Sequence, residues 1–217
     1  MNLLYIDVET TGLDPVLNDV INLGCIVEVN NKIVDKFEYY MYPTNWSRID
    51  KKAMNINGID IENCYHFDKC VNFITPTEAA TEIYKIMSSY KKDGKLIAVG
   101  KNVKFDINFI NNFFSKNIRS GGGNFYDIIR HRYIDINSLL LTTKYCGSNN
   151  IDMNDMDLEN LQYIYNIQKT LNPHNALHDA ILTAYVFQKI ILNDIVFISN
   201  SNIYLIKQIE EIINEIS

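Results

Sequence analysis

The chain opens with an apolar run, Leu3-Leu4-Tyr5-Ile6-Asp7-Val8, that closes on Glu9-Thr10-Thr11-Gly12. A run of this length ending in a turn glycine predicts a buried strand. Two further apolar stretches, residues 20–29 and 32–42, predict two more strands joined through Asn30-Asn31, a hairpin-type turn. Residues 49–54 carry short helical character that stops near Gly58. Thr75-Pro76-Thr77-Glu78 is a helix start, with a threonine cap, proline at the first position and glutamate three residues after the cap. Ala79, Ala80, Ile83, Met87 and Tyr90 then give that helix one apolar face. A fourth strand is predicted over 96–100, followed by a helix through Phe105, Phe109, Ile110 and Phe113. A fifth is predicted at Ile134-Asp135-Ile136, running into Leu139, Leu140 and Leu141. Helical spacing returns over 158–167, 174–192 and 203–216. Strands first, then strands alternating with helices, predict an α/β fold with a mixed β-sheet of about five strands flanked by helices.

Composition narrows this without redirecting it. At 217 residues one full domain is expected, and 47% hydrophobic with 21% charged residues is ordinary for a globular protein. No segment reaches the roughly 20 apolar residues of a membrane span, and no basic-then-apolar signal segment is visible, so a soluble, intracellular and cytoplasmic protein is expected. Cys25, Cys64, Cys70 and Cys146 form no CxxC pair; Cys64 and Cys70 flank His66, but at a spacing that fits no standard zinc site. The formal net charge of −6 argues against a grip on long duplex nucleic acid. It leaves room for contact with a few nucleotides at a site where cations draw in phosphate.

The candidate chemistry begins at Asp7 and Glu9, which a strand sends to the same face. Two adjacent carboxylates repel and resist desolvation unless a cation or a proton lies between them, which suggests a divalent metal site. The alternative is a solvated strand-end acid beside one that accepts from backbone N–H groups. Asp106, just past the fourth strand, and Asp179, near a helix start, are the two further acids that such a fold would bring to the end of the first strand.

Asp7-Val8-Glu9-Thr10-Thr11-Gly12, Asn102-x-x-Phe105-Asp106 and His174-x-Ala176-x-x-Asp179 resemble the three motifs of the DEDDh exonucleases, an RNase H-like family that includes polymerase proofreading subunits, RNase T and oligoribonuclease. Asn57-Gly58-Ile59 and Tyr133-Ile134-Asp135 are similar to two further elements of the family, and the likeness runs over about residues 1–193. It implies an RNase H-like exonuclease domain there, with 194–217 as a helical extension packed on the same domain. It also implies two Mg²⁺ ions, with Mn²⁺ as a substitute, held by Asp7, Glu9, Asp106 and Asp179, and His174 as the general base. Those types suit the chemistry: magnesium prefers hard oxygen ligands, and imidazole is the side chain that takes up a proton near neutrality. His178 also precedes Asp179; the motif spacing favours His174.

By the same resemblance Thr10, Gly12 and Leu13 line the 3′-terminal nucleotide and Asn102 contacts it. Lys101 stands where the family usually has histidine; it can hold a phosphate as a point charge. Asp135 is read as a helix cap outside the metal set, and Asp152, Asp155 and Asp157 as a solvated loop. Ser120-Gly121-Gly122-Gly123 is a flexible point that lacks the Gly-Lys-Ser/Thr of a phosphate loop, and Arg130-His131-Arg132 beside it is either a substrate path or a solvated turn. The expected activity is 3′-to-5′ removal of 5′-mononucleotides from single-stranded DNA, with an exoribonuclease and a non-catalytic nucleic-acid end-binding module as alternatives. Single-stranded 3′ ends and a DNA polymerase are the expected partners, no membrane is, and both monomer and homodimer remain open.

Overall fold

A computed structural model describes residues 1–67, 69–118, 123–147, 151–152, 154, 156–167, 171–194 and 200–216. Residues 120–122 of the glycine run and Asp155 lie outside them. Three long strands open the chain: β1 (Leu3–Thr10), β2 (Val20–Val29) and β3 (Lys32–Met41). The β2–β3 turn is the asparagine pair expected, with Asn30 at φ 51° and Asn31 at φ 61°, a left-handed pair that matches the twist of a hairpin. Helix α1 (Lys51–Asn57) ends on Gly58 at φ 65°. Strands β4 (Ile59–Asp60), β5 (Tyr65–His66) and β6 (Lys69–Cys70) form a small separate sheet, and β7 (Phe73–Ile74) leads to α2 (Pro76–Ser89), where Thr75 Oγ1 accepts from the Glu78 N–H. Then come β8 (Ile97–Gly100), α3 (Lys104–Asn117), β9 (Ile134–Asp135), α4 (Ile136–Tyr145), α5 (Leu158–Ile164), α6 (Ala176–Asp194) and α7 (Asn200–Ile216).

The main sheet has the order β7-β3-β2-β1-β8-β9, with β1 antiparallel to β2 and parallel to β8. It holds six strands where about five were expected. The sixth, β7, and the whole β4–β6 sheet are built from two-residue strands, too short to show an alternating pattern. Helix α5 also stops at Ile164, short of the expected 167, and the chain reverses through Asn166 at φ 53°.

Alternation along β1 divides the core. Leu4, Ile6 and Val8 face α2 and α3, packing with Ile83, Met87, Ile107, Ile110 and Phe114. Leu3 and Tyr5 face the other way, into a cluster with Leu140, Ala180, Ala184, Phe187 and the α7 residues Ile206, Ile209 and Ile213. Asp7 and Glu9 continue the second series, so period two aims both carboxylates at the α6 side of the sheet. No helix among the described residues is long and apolar enough to cross a membrane.

Candidate active site

The start of α6 is brought onto the sheet by four residues of β2 and β3. Gly24 pairs with Asp7; a Cβ there would fall 2.1 Å from the Leu177 nitrogen, so only glycine lets the helix come this close. Asn22, paired with Glu9, accepts from the Ala176 N–H at 2.9 Å. Asn175 caps the helix: its Oδ1 accepts from the His178 N–H at 2.9 Å, while its Nδ2 donates to Glu38 Oε1 at 3.0 Å and to the Tyr40 hydroxyl at 2.9 Å. The first turn so pinned carries Asp179, 8% exposed, toward β1. Its Oδ2 accepts from the His174 N–H at 3.1 Å.

Asp106 arrives from the opposite side of the strand. β8 pairs with β1 only from Leu3 to Tyr5, and Asp106, in the first turn of α3, accepts from the Val8 N–H further along at 3.0 Å. It is 3% exposed. Tight packing shapes the preceding turn, since a Cβ on Gly100 would press on Val103 and approach the Ile6 carbonyl, and Asn102 adopts φ 55°.

These carboxyls resist ionising together. Burial, then the charges of Asp106, Asp179 and Glu9, hold Asp7 well above the usual carboxylate range, and Lys101 opposes this. Burial and then Asp179 and Asp106 do the same to Glu9. Burial raises Asp106 against its backbone hydrogen bonds, and burial pushes Asp179 up to about 7 against the His174 N–H and Lys101. Lys101 alone does not balance four acids, and the site's donors are hard oxygens, so the residues fit divalent cations.

All four acids line one cleft of about 450 Å³ together with His174, Lys101, Asn102 and Phe105; Asp157, Leu158, Glu159 and Pro173 also line it. His174 precedes α6 instead of lying in it, a correction to the expected helix over 174–192. Its φ of 61° turns the side chain, 49% exposed, to the rim with Nδ1 3.9 Å from Glu9 Oε1. Glu9, His174 and Asp179 offer ligand atoms all within 4.8 Å of one another, a possible metal site. His178 is engaged otherwise: its Nδ1 accepts from the Asn172 N–H at 3.1 Å, and burial lowers its pKa to about 4.

The remaining sequence candidates divide. Asn102 and Lys101 are on the cleft wall, with Lys101 Nζ 2.9 Å from Asp157 Oδ1. Thr10, Gly12 and Leu13 are not; Thr10 ends β1 and Gly12 and Leu13 follow in the adjoining loop, where Thr10 Oγ1 donates to the Gly12 carbonyl at 2.6 Å, Asn57 Nδ2 donates to the Thr10 carbonyl at 3.2 Å and Leu13 is 81% exposed. Asp135 accepts from the Asn137 N–H at 2.9 Å as the cap of α4. His66 has both ring nitrogens occupied, by the Tyr40 hydroxyl at 2.8 Å and the Asn57 carbonyl at 2.9 Å, which fits no zinc site with Cys64 and Cys70. Sequence reasoning passed over Asn22, Gly24, Glu38, Tyr40 and Asn175. One signal was there: a glycine inside the apolar run 20–29 marks a close backbone approach.

A mixed sheet whose central strand ends in two partly buried carboxylates, with a half-exposed imidazole close by, frames the cleft. The fold is similar to that of Escherichia coli exonuclease I, whose zinc-bound complex with single-stranded DNA superposes with a TM-score of 0.68 over 88% of this chain and 40% of that one, at 19% identity. A further exonuclease I structure gives 0.69 over 95% of this chain and 43% of that one, at 18% identity. The sequence profile of the RNase_T family, described as exonuclease, matches residues 4–187. The chain belongs to this family and is of its DEDDh type. Among curated relatives, the PolC-type DNA polymerase III of Staphylococcus aureus (strain bovine RF122 / ET3-1) is 28% identical over 186 residues, 85% of this chain and 11% of that protein. The PolC-type polymerase III of Mycoplasmopsis pulmonis is 31% identical over 111 residues, 51% of this chain and 7% of that protein. The chain thus spans about a tenth of the polymerases it matches.

Proposed function

We propose that the chain is a 3′-to-5′ exonuclease that removes 5′-mononucleotides from single-stranded DNA. The observation that carries this reading is the convergence of Asp7, Glu9, Asp106 and Asp179 in one cleft with His174 at its rim. In this reading the four carboxylates hold two Mg²⁺ ions, or Mn²⁺ in their place. When bound, such a pair supplies Lewis acidity to the phosphodiester and neutralises the charge that develops on the attacking and leaving oxygens.

The chain's own residues do the rest. His174 is the general base: exposed at the rim, it can take a proton from the attacking water, whereas His178 already accepts a backbone hydrogen bond. The Glu9, His174 and Asp179 cluster would also admit His174 as a ligand, but magnesium's preference for oxygen favours its role as base. Lys101 pairs with a backbone phosphate, Asn102 contacts the terminal nucleotide, and the loop of Thr10, Gly12 and Leu13 covers it, with exposed Leu13 packing on the base. Residues 1–193 are the exonuclease domain in this reading, and α7 of the extension packs on it through Ile206, Ile209 and Ile213.

DNA is favoured over RNA by the likeness to PolC-type DNA polymerases, and the same likeness supports a polymerase as partner. A time course on 5′-labelled single-stranded DNA and RNA of equal sequence tests the proposal, with Mg²⁺, with chelator and with Asp7→Asn. The expected result is a ladder shortening from the 3′ end of DNA, abolished in both controls. Failure of either strand to shorten with Mg²⁺ or Mn²⁺, while ends are still bound, would make the chain a binding module.

A further inference from the structure

The cleft is acidic, yet a group of cations gathers along the flank beside it. Lys104, in the first turn of α3 next to the cleft residue Phe105, donates to the Tyr126 hydroxyl at 3.1 Å. The Tyr126 ring stacks on His131 with centroids 4.6 Å apart and 20° between planes. Lys95 Nζ bonds the Tyr126 carbonyl at 2.5 Å, and Arg130 Nε donates to the Lys95 carbonyl at 3.3 Å. Lys95, Arg130 and Arg132 then line a cavity of about 280 Å³ at the amino end of β8.

Sheet register fixes how this group runs. Leu96 bridges Ile129 at one end of β8, and Val99 pairs with Ile134 at the other, near the cleft. Residues 130–133 therefore climb the outer edge of β8, and the edge from Ile129 to Ile134 covers a few strand residues, roughly 10–13 Å. Lys95, Arg130, His131 and Arg132 are exposed. None of Lys95, Lys104, Arg130 and Arg132 joins the ion pairs found among the described residues. Exposed Asp127, beside Tyr126, pairs with none of them either. In a chain of net charge −6, unpaired cations interleaved with a stacked aromatic pair are concentrated on one flank that starts at the cleft. Such a combination follows a flexible phosphate backbone: the cations meet phosphates and the exposed ring offers a face to a base.

We propose that the flank from Lys104 through Tyr126 and His131 to Arg130 and Arg132 binds the single-stranded segment that lies 5′ of the end held in the cleft. The inference rests on the nucleic-acid reading of the cleft. It gives the chain a reason to act on strands of several nucleotides, and it separates the electrostatics of grip from those of cleavage.

The test uses the full chain as wild type, as Arg130→Gln/Arg132→Gln and as the charge-preserving Arg130→Lys/Arg132→Lys. Binding of a 5′-fluorescent 12-nucleotide single strand with hydrolysis-resistant phosphorothioate linkages is followed by anisotropy from 50 to 200 mM salt, and turnover of the unmodified strand is measured in parallel. For a single strand, every phosphate that the protein neutralises adds about 0.7 to the slope of log affinity against log salt. With two phosphates fewer neutralised by the Gln variant, wild type should weaken about sevenfold more than that variant over this range, and the Lys variant should follow wild type. Melting temperatures of the three proteins exclude misfolding as the cause. Equal slopes for wild type and the Gln variant would overturn the proposal, whatever the turnover. Absence of strand shortening by wild type would instead strike the exonuclease reading, and the anisotropy slopes would still decide whether the flank binds.

Discussion

Acids gathered at the two ends of β1 are handled in opposite ways. At the carboxyl end of β1, the charges of Asp106 and Asp179 add to burial in raising the proton affinity of Asp7 and Glu9, and the cleft's lysine is shared with Asp157. At the amino end, Glu28 of β2 stands across from Leu3, 2% exposed, and accepts from the Tyr5 hydroxyl at 2.7 Å and from Gln188 Nε2 at 3.2 Å. Gln188 Nε2 also donates to the Tyr5 oxygen at 3.0 Å, closing a triangle between β1, β2 and α6. Burial raises the Glu28 carboxyl too, but its neutral donors oppose the shift instead of adding to it. A buried acid given hydrogen-bond donors ties elements together; one given other acids is left dependent on an added cation. The first arrangement is structural and the second is poised for chemistry.

The largest effect should come from emptying one corner of the cleft. Asp7→Asn removes a charge while keeping shape, and turnover should fall roughly 10³-fold or more, the scale seen when a group that stabilises transition-state charge is lost. In chelator the same variant should melt no lower than wild type, because a repelling charge has gone. A variant that loses activity only by unfolding would show the cleft to be structural after all.

Glu28→Ala is the mirror experiment. It leaves the Tyr5 hydroxyl and the Gln188 amide without their shared acceptor, at a cost of about 2–3 kcal/mol. For a chain of this length that lowers Tm by roughly 4–12 °C. Activity at 25 °C should persist. A loss of turnover with an unchanged Tm would reverse the assignment of the two sites.

How much of this contrast the sequence carried depends on range. The three motifs are local: Asp7 and Glu9 share a strand, and Asp106 and Asp179 each fall at the start of a helix that hydrophobic spacing marks. The residues that aim them are not local. Gly24, Asn22, Glu38 and Tyr40 act on the start of α6 from over a hundred residues away, and no period in one sequence reports such a contact. The same holds for Glu28, which reads as a polar break in an apolar strand until Tyr5 and Gln188 are seen beside it. Two-residue strands β4 to β7 were invisible for a simpler reason, since alternation needs at least four positions to show.

A smaller effect tests the electrostatics directly. Asp179 in the cation-free protein has its pKa raised from 3.8 to about 7, chiefly by burial. The folded state then holds more protons than the unfolded chain between those values, so stability falls as pH rises through that window. Chelated protein should therefore melt higher at pH 5 than at pH 8. Added Mg²⁺ should stabilise more at pH 8, where the carboxylates are free to bind it, by about 3 kcal/mol once the ion exceeds its Kd a hundredfold. A Tm that rises with pH in chelator would contradict the account of the cleft, because Glu28 and its neutral donors cannot produce that trend alone.

The smallest effect concerns Lys101, the cation that lines the acidic site among the described residues. Lys101 lowers the proton affinity of both Asp7 and Asp179, so its charge is felt at the floor of the cleft, while its Nζ is held by Asp157 at 2.9 Å. Asp157 is 73% exposed, and exposed pairs are worth about 0–1 kcal/mol. A carboxylate and a phosphate compete for the same ammonium, and the pair must open if Lys101 is to hold substrate. Asp157→Asn should therefore lower KM for a single strand by about two- to fivefold, the factor that such a pair can withhold. In a Lys101→Ala background the substitution should have no such effect, because the competition needs the lysine. If KM rises in the single variant, Asp157 assists binding instead, and it belongs with the functional group of carboxylates.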